Sequence, residues 1–112
     1  MERGEIWYID LSPAAGREPQ GRHPVLVISP RAFNRSGMAL VAPITTIGKA
    51  SRMRGFAVNL QGAGTATTGV IQCDAIRVVD MVQRNARQDR DRDAVPPDIL
   101  DDVLARIATI AQ

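Results

Sequence analysis

Short apolar segments alternate with turn-forming clusters along most of the chain. Gly, Pro, Ser or Asn bounds each segment, a pattern that is typical of a small all-β core. The run Val25-Leu26-Val27-Ile28 is rich in β-branched residues and predicts a central strand. Pro43 predicts that its strand ends there or lies at a sheet edge, because proline cannot donate a ladder hydrogen bond. The predicted strands are residues 5–11, 24–29, 38–44, 55–60, 68–74 and 75–80.

The hydrophobic period changes near the C-terminus and predicts one helix. Pro96 and Pro97 mark its beginning, where the missing proline N–H is tolerated, and Asp98 lies near the positive end of the helix dipole. A single helical turn is expected within 31–34. The apolar stripe of the C-terminal helix recurs every three or four residues, at Leu100, Val103, Leu104, Ile107 and Ala111.

Length and composition predict one domain covering residues 1–112. The chain is 45% hydrophobic, which is enough for a core, and no apolar run approaches the ~20 residues that span a bilayer. The N-terminus lacks the pattern of a signal peptide. Cys73 is the single cysteine, so no internal disulfide is possible and we expect a cytoplasmic protein.

The charge is distributed unevenly. Thirteen arginines accompany one lysine, and the net charge is +2. Residues 1–60 hold 8 basic and 4 acidic side chains, whereas residues 61–112 hold 6 and 8. The first half is therefore the better candidate for contact with an anionic partner.

Several classes of site are excluded or disfavoured. One histidine and one cysteine cannot make a structural zinc site, and the chain has no phosphate-binding loop. Asp89, Asp91 and Asp93 alternate as in a calcium loop, but Ala94 replaces the required glycine and Leu100 the bidentate glutamate. We interpret residues 88–94 as a solvated charged loop, and we expect neither a metal nor a cofactor.

Metal-independent cleavage of RNA is compatible with the remaining polar residues. The nucleophile would be the internal 2′-hydroxyl, and the enzyme would supply a base, an acid and positive charge for the phosphoryl oxygens. Arginine binds phosphate through paired hydrogen bonds. The candidate groups are Asp74, Glu18, His23, Arg17 and Arg22.

The order of motifs resembles the PemK (Kid)/MazF-like toxins of type II toxin–antitoxin systems. The resemblance extends from residue 1 to about residue 110. It is carried by Gly4-Glu5-Ile6-Trp7, Ser12-Pro13-Ala14-Ala15-Gly16, Pro24-Val25-Leu26-Val27, Ala32-Phe33-Asn34, Val41-Ala42-Pro43-Ile44-Thr45-Thr46, Gly55-Phe56-Ala57-Val58, Thr67-Thr68-Gly69-Val70-Ile71 and Cys73-Asp74.

This resemblance implies a fold, an activity and partners. The fold is mainly β with a C-terminal helix, a compact and strongly bent Src-homology-3-like barrel that acts as a homodimer. The activity is ribosome-independent cleavage of single-stranded mRNA at short sequences, which leaves 2′,3′-cyclic phosphate and 5′-hydroxyl ends and inhibits translation and growth. A cognate antitoxin would cover the RNA groove with a flexible acidic segment, and the pair would bind operator DNA.

The catalytic positions implied by the resemblance are only partly retained. The PemK branch has a histidine before the loop glutamate, an arginine two residues before an aspartate, and that aspartate; here these positions hold Arg17, Gln72 and Asp74. The MazF branch has an arginine before the proline of the second strand and a threonine after the third, where this chain has His23 and Thr46.

Two interpretations of the substituted site remain open. In the first, Asp74 is the base, Arg17 stabilises the phosphorane, and His23 or Arg22 supplies the acid. In the second, the site is impaired: arginine is a poor proton donor, and the loss of positive charge at Gln72 costs about 100-fold in rate or more.

The resemblance also implies which residues line the RNA groove; the matching positions are Thr45, Thr46, Arg54, Phe56, Thr68, Val70 and Gln72. Arg52 and Arg54 are candidates for phosphate positioning, and Phe56 is a candidate for base stacking. The full set is Arg22, Glu18, Thr45, Thr46, Arg52, Arg54, Phe56, Thr68 and Val70.

Two other functions are weighed against the nuclease. One is a CcdB-like gyrase poison on the same fold, which would act through a C-terminal helix ending near a tryptophan; this chain ends Thr109-Ile110-Ala111-Gln112. The other is a catalytically impaired homologue that only binds its antitoxin at an operator.

Overall fold

The computed structural model describes residues 1–10, 22–46 and 55–111. Within these ranges it has six strands and two helices. They are, in chain order, β1 (Ile6–Asp10), β2 (Arg22–Val27), α1 (Arg31–Asn34), β3 (Met38–Thr45), β4 (Ala57–Asn59), β5 (Val70–Gln72), β6 (Arg77–Asp80) and α2 (Pro97–Ala111). The predicted class, mainly β with a C-terminal helix, is confirmed, although the last three strands are shorter than predicted.

All strand pairings are antiparallel, and β3 is the central strand. The hydrogen-bonded order is β1-β2-β3-β5-β4, and β6 also pairs with β3. Pro43 does not end its strand or lie at an edge, so that prediction was wrong. It faces Val25 of β2, but it falls between the last β6 pair at Val41 and the first β5 pair at Ile44. The change of partner strand at this position accommodates a residue without an N–H.

The sheet has a different apolar cluster on each face. The first cluster packs beneath α2 and includes Ile6, Leu26, Ala42, Ile44, Val58, Ile71, Cys73 and Val103. The second lies on the opposite face and consists of Ile9, Val25, Val27, Ala39, Val41, Val79 and Met81. Because side chains alternate along a strand, β2 and β3 supply both clusters, and their polar residues are left for the strand ends.

Helix α2 uses most of its predicted stripe to cover the first cluster. Val103 is completely buried, and Leu100, Leu104 and Ile107 pack against the cluster. Ala111 is exposed together with the rest of the last turn of the helix, which corrects the stripe at its last position. No helix in the described ranges has the length and hydropathy to cross a membrane.

The segment from Arg84 to Ala94 lines the outer edge of β1. The backbone amides of Ile6, Tyr8 and Asp10 donate to the carbonyls of Asp93, Arg87 and Arg84, at 2.8, 2.7 and 2.8 Å. Asp89 and Asp91 are exposed, as a solvated charged loop requires, but Asp93 is 7% exposed. The interpretation of residues 88–94 as solvated is therefore wrong at Asp93, because this strand-edge contact turns its side chain inward.

Candidate active site

A polar groove opens where β3 ends. His23, Pro24, Ile44, Thr45, Thr46 and Thr68 enclose a cavity of about 260 Å³, which we call the threonine groove. It continues past Thr46 and Thr68 into a wider opening bordered by Asn59, Gln61 and Gly69. Strands β2 and β3 are antiparallel, and Val25 pairs with Pro43. His23, two residues before Val25, and Thr45, two residues after Pro43, therefore lie at the same end of the sheet. Four of the predicted site residues are thus brought together.

His23 also borders a second cavity. This cavity of about 210 Å³ has a mainly apolar lining, with Arg77 as its one charged residue among those described, and Ala75 and Pro43 at its edge. Arg77 is exposed and follows Asp74 by three residues. Arg77 was not among the predicted site residues. It pairs with Val41 in the β3–β6 ladder, and this register places it on the same face of the sheet as His23.

Arg22 lies over an aromatic ring. Its guanidinium carbon is 5.9 Å from the centre of the Tyr8 ring, within the range of a cation–π contact. Both terminal nitrogens of Arg22 are buried and have no hydrogen-bond partner among the described residues. The acid paired opposite in the β1–β2 ladder, Asp10, instead accepts a hydrogen bond from Asn85 at 2.9 Å. The Arg22 guanidinium therefore retains donors suited to an anion.

Gln72 is the last residue of β5, and Asp74 lies in the turn that follows. Both are half-buried, and one carboxylate oxygen of Asp74, Oδ1, is buried. The turn is closed by the Ala75 amide donating to the Gln72 carbonyl at 3.3 Å. Ala75, which follows Asp74 directly, lines the cavity that His23 and Arg77 share, whereas Asp74 is not among the residues that line it.

The remaining predicted site residues lie either against the apolar core or outside the described ranges. Phe56 is half-buried and packs against the first apolar cluster, and Val70 is 5% exposed within the sheet. Arg17, Glu18, Arg52 and Arg54 lie outside the described residues.

A buried acid holds the loop that carries Thr68. The Asp93 carboxylate accepts hydrogen bonds from the Ala66 amide at 3.0 Å, the Thr67 amide at 3.3 Å and the Thr67 hydroxyl at 3.1 Å. Thr67 is itself 5% exposed, and its hydroxyl lies 3.0 Å from that of Tyr8. Sequence reasoning missed this cluster, because the spacing of Asp93 suggested only a surface loop.

Gly69 brings the same loop against β3. Its φ is +123°, and a Cβ built there would lie 2.6 Å from the carbonyl oxygen of Thr45. Only glycine permits both this backbone conformation and this approach. The close contact sets the distance between Thr45 and Thr68 across the groove.

Cys73, next to Asp74, is not a candidate nucleophile. It is completely buried in the first apolar cluster. Burial raises the pKa of its thiol from 9.0 to about 11, although the positive charge of Arg106 opposes the shift. The thiol therefore stays protonated and unreactive at neutral pH.

Comparison with known proteins decides the family. The profile of the PemK-like, MazF-like toxins of type II toxin–antitoxin systems matches residues 2–111. The chain belongs to this family. It is 48% identical to the endoribonuclease PemK of Escherichia coli over 111 residues, which cover 98% of this chain and 81% of the relative. It is 42% identical to the endoribonuclease toxin ChpB of Escherichia coli K12 over 89 residues, 79% of this chain and 77% of ChpB.

Solved structures of MazF toxins share the fold. MazF in the MazE–MazF complex of Deinococcus radiodurans superposes with a TM-score of 0.84 at 29% identity, covering 99% of this chain and 95% of that one. MazF of the same organism without MazE gives a TM-score of 0.79, also at 29% identity, covering 99% and 96% of the two chains. The family predicted from the motifs and its MazF/PemK fold are thereby confirmed.

Proposed function

We propose that this PemK/MazF-family toxin is an endoribonuclease that cleaves single-stranded mRNA in and beside the threonine groove. The observation that carries the proposal is the meeting of His23, Thr45, Thr46 and Thr68 at one end of the sheet. Its relatives PemK and ChpB are named endoribonucleases, which supports the same activity here.

The proposed reaction is an internal transesterification. Asp74 removes the proton from the 2′-hydroxyl, the new bond forms between that oxygen and phosphorus, and the bond from phosphorus to the 5′-oxygen breaks. His23 gives a proton to the departing oxygen, since histidine is the side chain that most often acts as a general acid. The products are a 2′,3′-cyclic phosphate and a 5′-hydroxyl, and no metal ion takes part.

Charge on the phosphoryl oxygens needs donors other than Gln72. The proposal assigns this role to Arg17, assisted by Arg77, which lines a cavity together with His23. Preorganised cationic donors of this kind contribute strongly when aimed at developing charge. Gln72 donates a neutral hydrogen bond, and Arg22 binds an adjacent phosphate once its terminal nitrogens, which are buried in this structure, become accessible on RNA binding.

The threonines are suited to bind an unpaired strand. Thr46 and Thr68 are exposed and Thr45 is half-buried, and each hydroxyl can both donate and accept. Single-stranded RNA presents the edges of its bases to such groups. The proposal extends RNA contact to Phe56 and Val70, and to Glu18, Arg52 and Arg54 beyond the described ranges.

The proposed partners follow from the family. MazF of Deinococcus radiodurans is solved in complex with MazE, which supports a cognate antitoxin for this chain. We propose that the antitoxin covers the groove with an acidic segment, that the toxin is a cytoplasmic homodimer, and that it meets operator DNA only with its antitoxin.

A catalytically impaired toxin is the second candidate. The observation that favours it is Gln72, which stands where the PemK branch has an arginine. Such a protein would still bind antitoxin and RNA but would cut slowly or not at all.

Incubation of the purified protein with a long RNA in EDTA tests the proposal. We expect discrete fragments with 5′-hydroxyl ends, which polynucleotide kinase labels directly. Asp74→Ala abolishes cutting while the fold persists, whereas Asp101→Ala, an exposed acid on α2, cuts normally and serves as the control.

Other outcomes point elsewhere. Intact RNA with retained antitoxin binding supports the impaired toxin, and trapped gyrase–DNA complexes support a poison. Unchanged cutting by Asp74→Ala would remove Asp74 from the mechanism.

A further inference from the structure

The Asp93 cluster, which we define as Tyr8, Thr67 and Asp93, is a continuous chain of hydrogen bonds behind the threonine groove. It begins at the Asp93 carboxylate, passes through the Thr67 hydroxyl at 3.1 Å and ends at the Tyr8 hydroxyl at 3.0 Å. Thr67 and Asp93 are 5% and 7% exposed. The chain connects the 61–69 loop, the segment that lines β1, and β1 itself.

The direction of each hydrogen bond follows from the chemistry of the groups. An ionised carboxylate can only accept, so the single hydroxyl proton of Thr67 is donated to Asp93. The Thr67 oxygen then accepts, and Tyr8 must donate to it. The Tyr8 side chain is thereby anchored at its hydroxyl end, in one orientation.

Two of the predicted RNA-binding residues are attached to this chain. Thr68 follows Thr67 directly and lines the threonine groove. Arg22 lies over the ring of Tyr8, 5.9 Å from its centre, and within the described residues neither terminal nitrogen of Arg22 has a hydrogen bond to hold it. The Tyr8 ring is therefore one surface that supports the Arg22 guanidinium.

We propose that Tyr8, Thr67 and Asp93 are positioning residues that align Thr68 and Arg22 for binding of RNA. The inference rests on the proposed function, because it assigns RNA contact to both groups. None of the three residues touches RNA in this scheme. Each acts through a neighbour, and the Thr67 hydroxyl is the link on which both neighbours depend.

A structural role alone would leave a different kinetic signature. A variant that is only less stable contains less folded enzyme, which lowers the apparent kcat and leaves KM unchanged. A variant whose groove is misaligned binds RNA more weakly, which raises KM. The two roles are therefore separated by the KM-against-kcat split.

Thr67→Val and Thr67→Ser form the matched pair that tests the link. Valine has nearly the shape of threonine but no hydroxyl, whereas serine keeps the hydroxyl. Using a short RNA that contains one mapped cleavage site, we expect Thr67→Val to raise KM about tenfold with kcat changed less than about twofold. Thr67→Ser restores KM to within about twofold of the unsubstituted value.

Ser29→Ala is the control for loss of a buried hydroxyl elsewhere. The Ser29 hydroxyl is buried, donates to Asn34 and accepts from the Leu40 amide at 2.9 Å, near the beginning of β3 rather than its end. We expect Ser29→Ala to lower the Tm with KM unchanged. Equal KM values for Thr67→Val and Thr67→Ser, or an equal rise of KM in Ser29→Ala, would overturn the inference.

Binding of a non-cleavable RNA separates this inference from the proposed function. A pool of 2′-O-methyl oligonucleotides cannot be cut by internal attack, and fluorescence anisotropy reports its Kd. If the unsubstituted protein binds the pool but never cuts RNA, the nuclease proposal fails, while a tenfold weaker Kd for Thr67→Val alone still supports positioning. If it cuts RNA and all three variants match it in KM and Kd, only the positioning inference fails. Absence of both cutting and binding overturns both.

Discussion

Two pairs of buried polar side chains occur in the described part of the chain, at opposite ends of β3. Ser29 and Asn34 lie near its beginning, and Thr67 and Asp93 lie behind the groove at its end. Both pairs are hydrogen-bonded, as burial requires. They differ in what they hold, and the difference shows that burial and satisfied hydrogen bonds do not by themselves distinguish support of the fold from support of a site.

The Ser29–Asn34 pair is neutral and joins only structural elements. The Asn34 amide nitrogen donates to the carbonyls of Met1 and Ser29, each at 3.0 Å, and the Ser29 hydroxyl accepts from Leu40. This pair ties the N-terminus and α1 to β3. No residue of the threonine groove contacts it in the hydrogen bonds of the described ranges.

The Thr67–Asp93 pair carries a charged group and adjoins the groove. An uncompensated buried charge is costly, and here three donors converge on the carboxylate. Its neighbours Thr68 and Tyr8 connect it to the groove and to Arg22. We therefore expect damage to this pair to affect stability and RNA binding together.

We expect the largest loss of stability for Asp93→Ala, which removes the charged member of the Thr67–Asp93 pair. The substitution leaves three donors, two of them buried, without an acceptor, and it should lower the free energy of unfolding by at least about 3 kcal/mol. Urea denaturation measures the loss, and RNA binding of the folded fraction should weaken as well. A loss below about 1 kcal/mol would show that the carboxylate is not the anchor of this loop.

Gly69→Ala tests whether the backbone contact beside the threonine groove supports both stability and RNA binding. The new Cβ would meet the Thr45 carbonyl at a φ of +123°, and we expect a loss of at least about 2 kcal/mol in the free energy of unfolding together with weaker RNA binding. The control is Gly64→Ala, at φ +84° with open space around it, which should cost about 1 kcal/mol and leave binding unchanged. Equal effects of both variants would show that the contact with Thr45 is unimportant.

Asn34→Ala tests whether the neutral Ser29–Asn34 pair supports stability without affecting RNA binding. Loss of the amide removes the hydrogen bonds to Met1 and to Ser29, and we expect about 2 kcal/mol of destabilisation. Cleavage assayed well below the Tm should keep its KM. A raised KM would show that the two ends of β3 are coupled, so that both pairs affect RNA binding.

The last expected effect is absent at neutral pH and appears only in alkali. It is a pH dependence of stability that comes from the first apolar cluster, which borders both pairs. This cluster contains Ile28, next to Ser29, and Val95, two residues after Asp93, together with Cys73. The folded-state pKa of Cys73 is raised from 9.0 to about 11, so between these values the unfolded state loses a proton that the folded state keeps. Stability from this source is complete below about pH 9 and is lost as the pH rises toward 11.

The measurement is the difference in unfolding free energy between the unsubstituted protein and Cys73→Ala. We expect this difference to shrink by about 1.4 kcal/mol for each pH unit through that window. A difference that stays constant from pH 8 to pH 11 would contradict the raised pKa of the thiol.

Much of the fold was predictable because it depends on local pattern. Alternating apolar runs indicated the strands, and the change of period with Pro96-Pro97 indicated α2, which begins at Pro97. Pro43 was misjudged, because the exchange of β6 for β5 along β3 is a pairing between distant segments. Ala111 was assigned to the stripe, because periodicity does not report that the last turn of the helix is exposed.

The site was predictable only where the family motif and the end of a strand coincide. Thr45, Thr46, Thr68 and His23, which were predicted as site residues, line one cavity, and their roles in RNA cleavage stay a prediction. Arg77 and Asp93 were not predicted, since an arginine on a short strand and the last aspartate of an acidic loop carry no local signal of function. Their importance comes from neighbours that lie far away in sequence.

The family, the mainly β class with its closing helix, and the groups available for phosphate chemistry all follow from the amino-acid sequence without a structure. Tertiary structure alone decided which of those groups meet. The β2–β3 register brings His23 to the groove, and the segment along β1 turns the side chain of Asp93 inward. The physical reason is that strand propensity and apolar pattern act over a few residues, whereas burial of a polar side chain depends on donors that arrive from other parts of the chain.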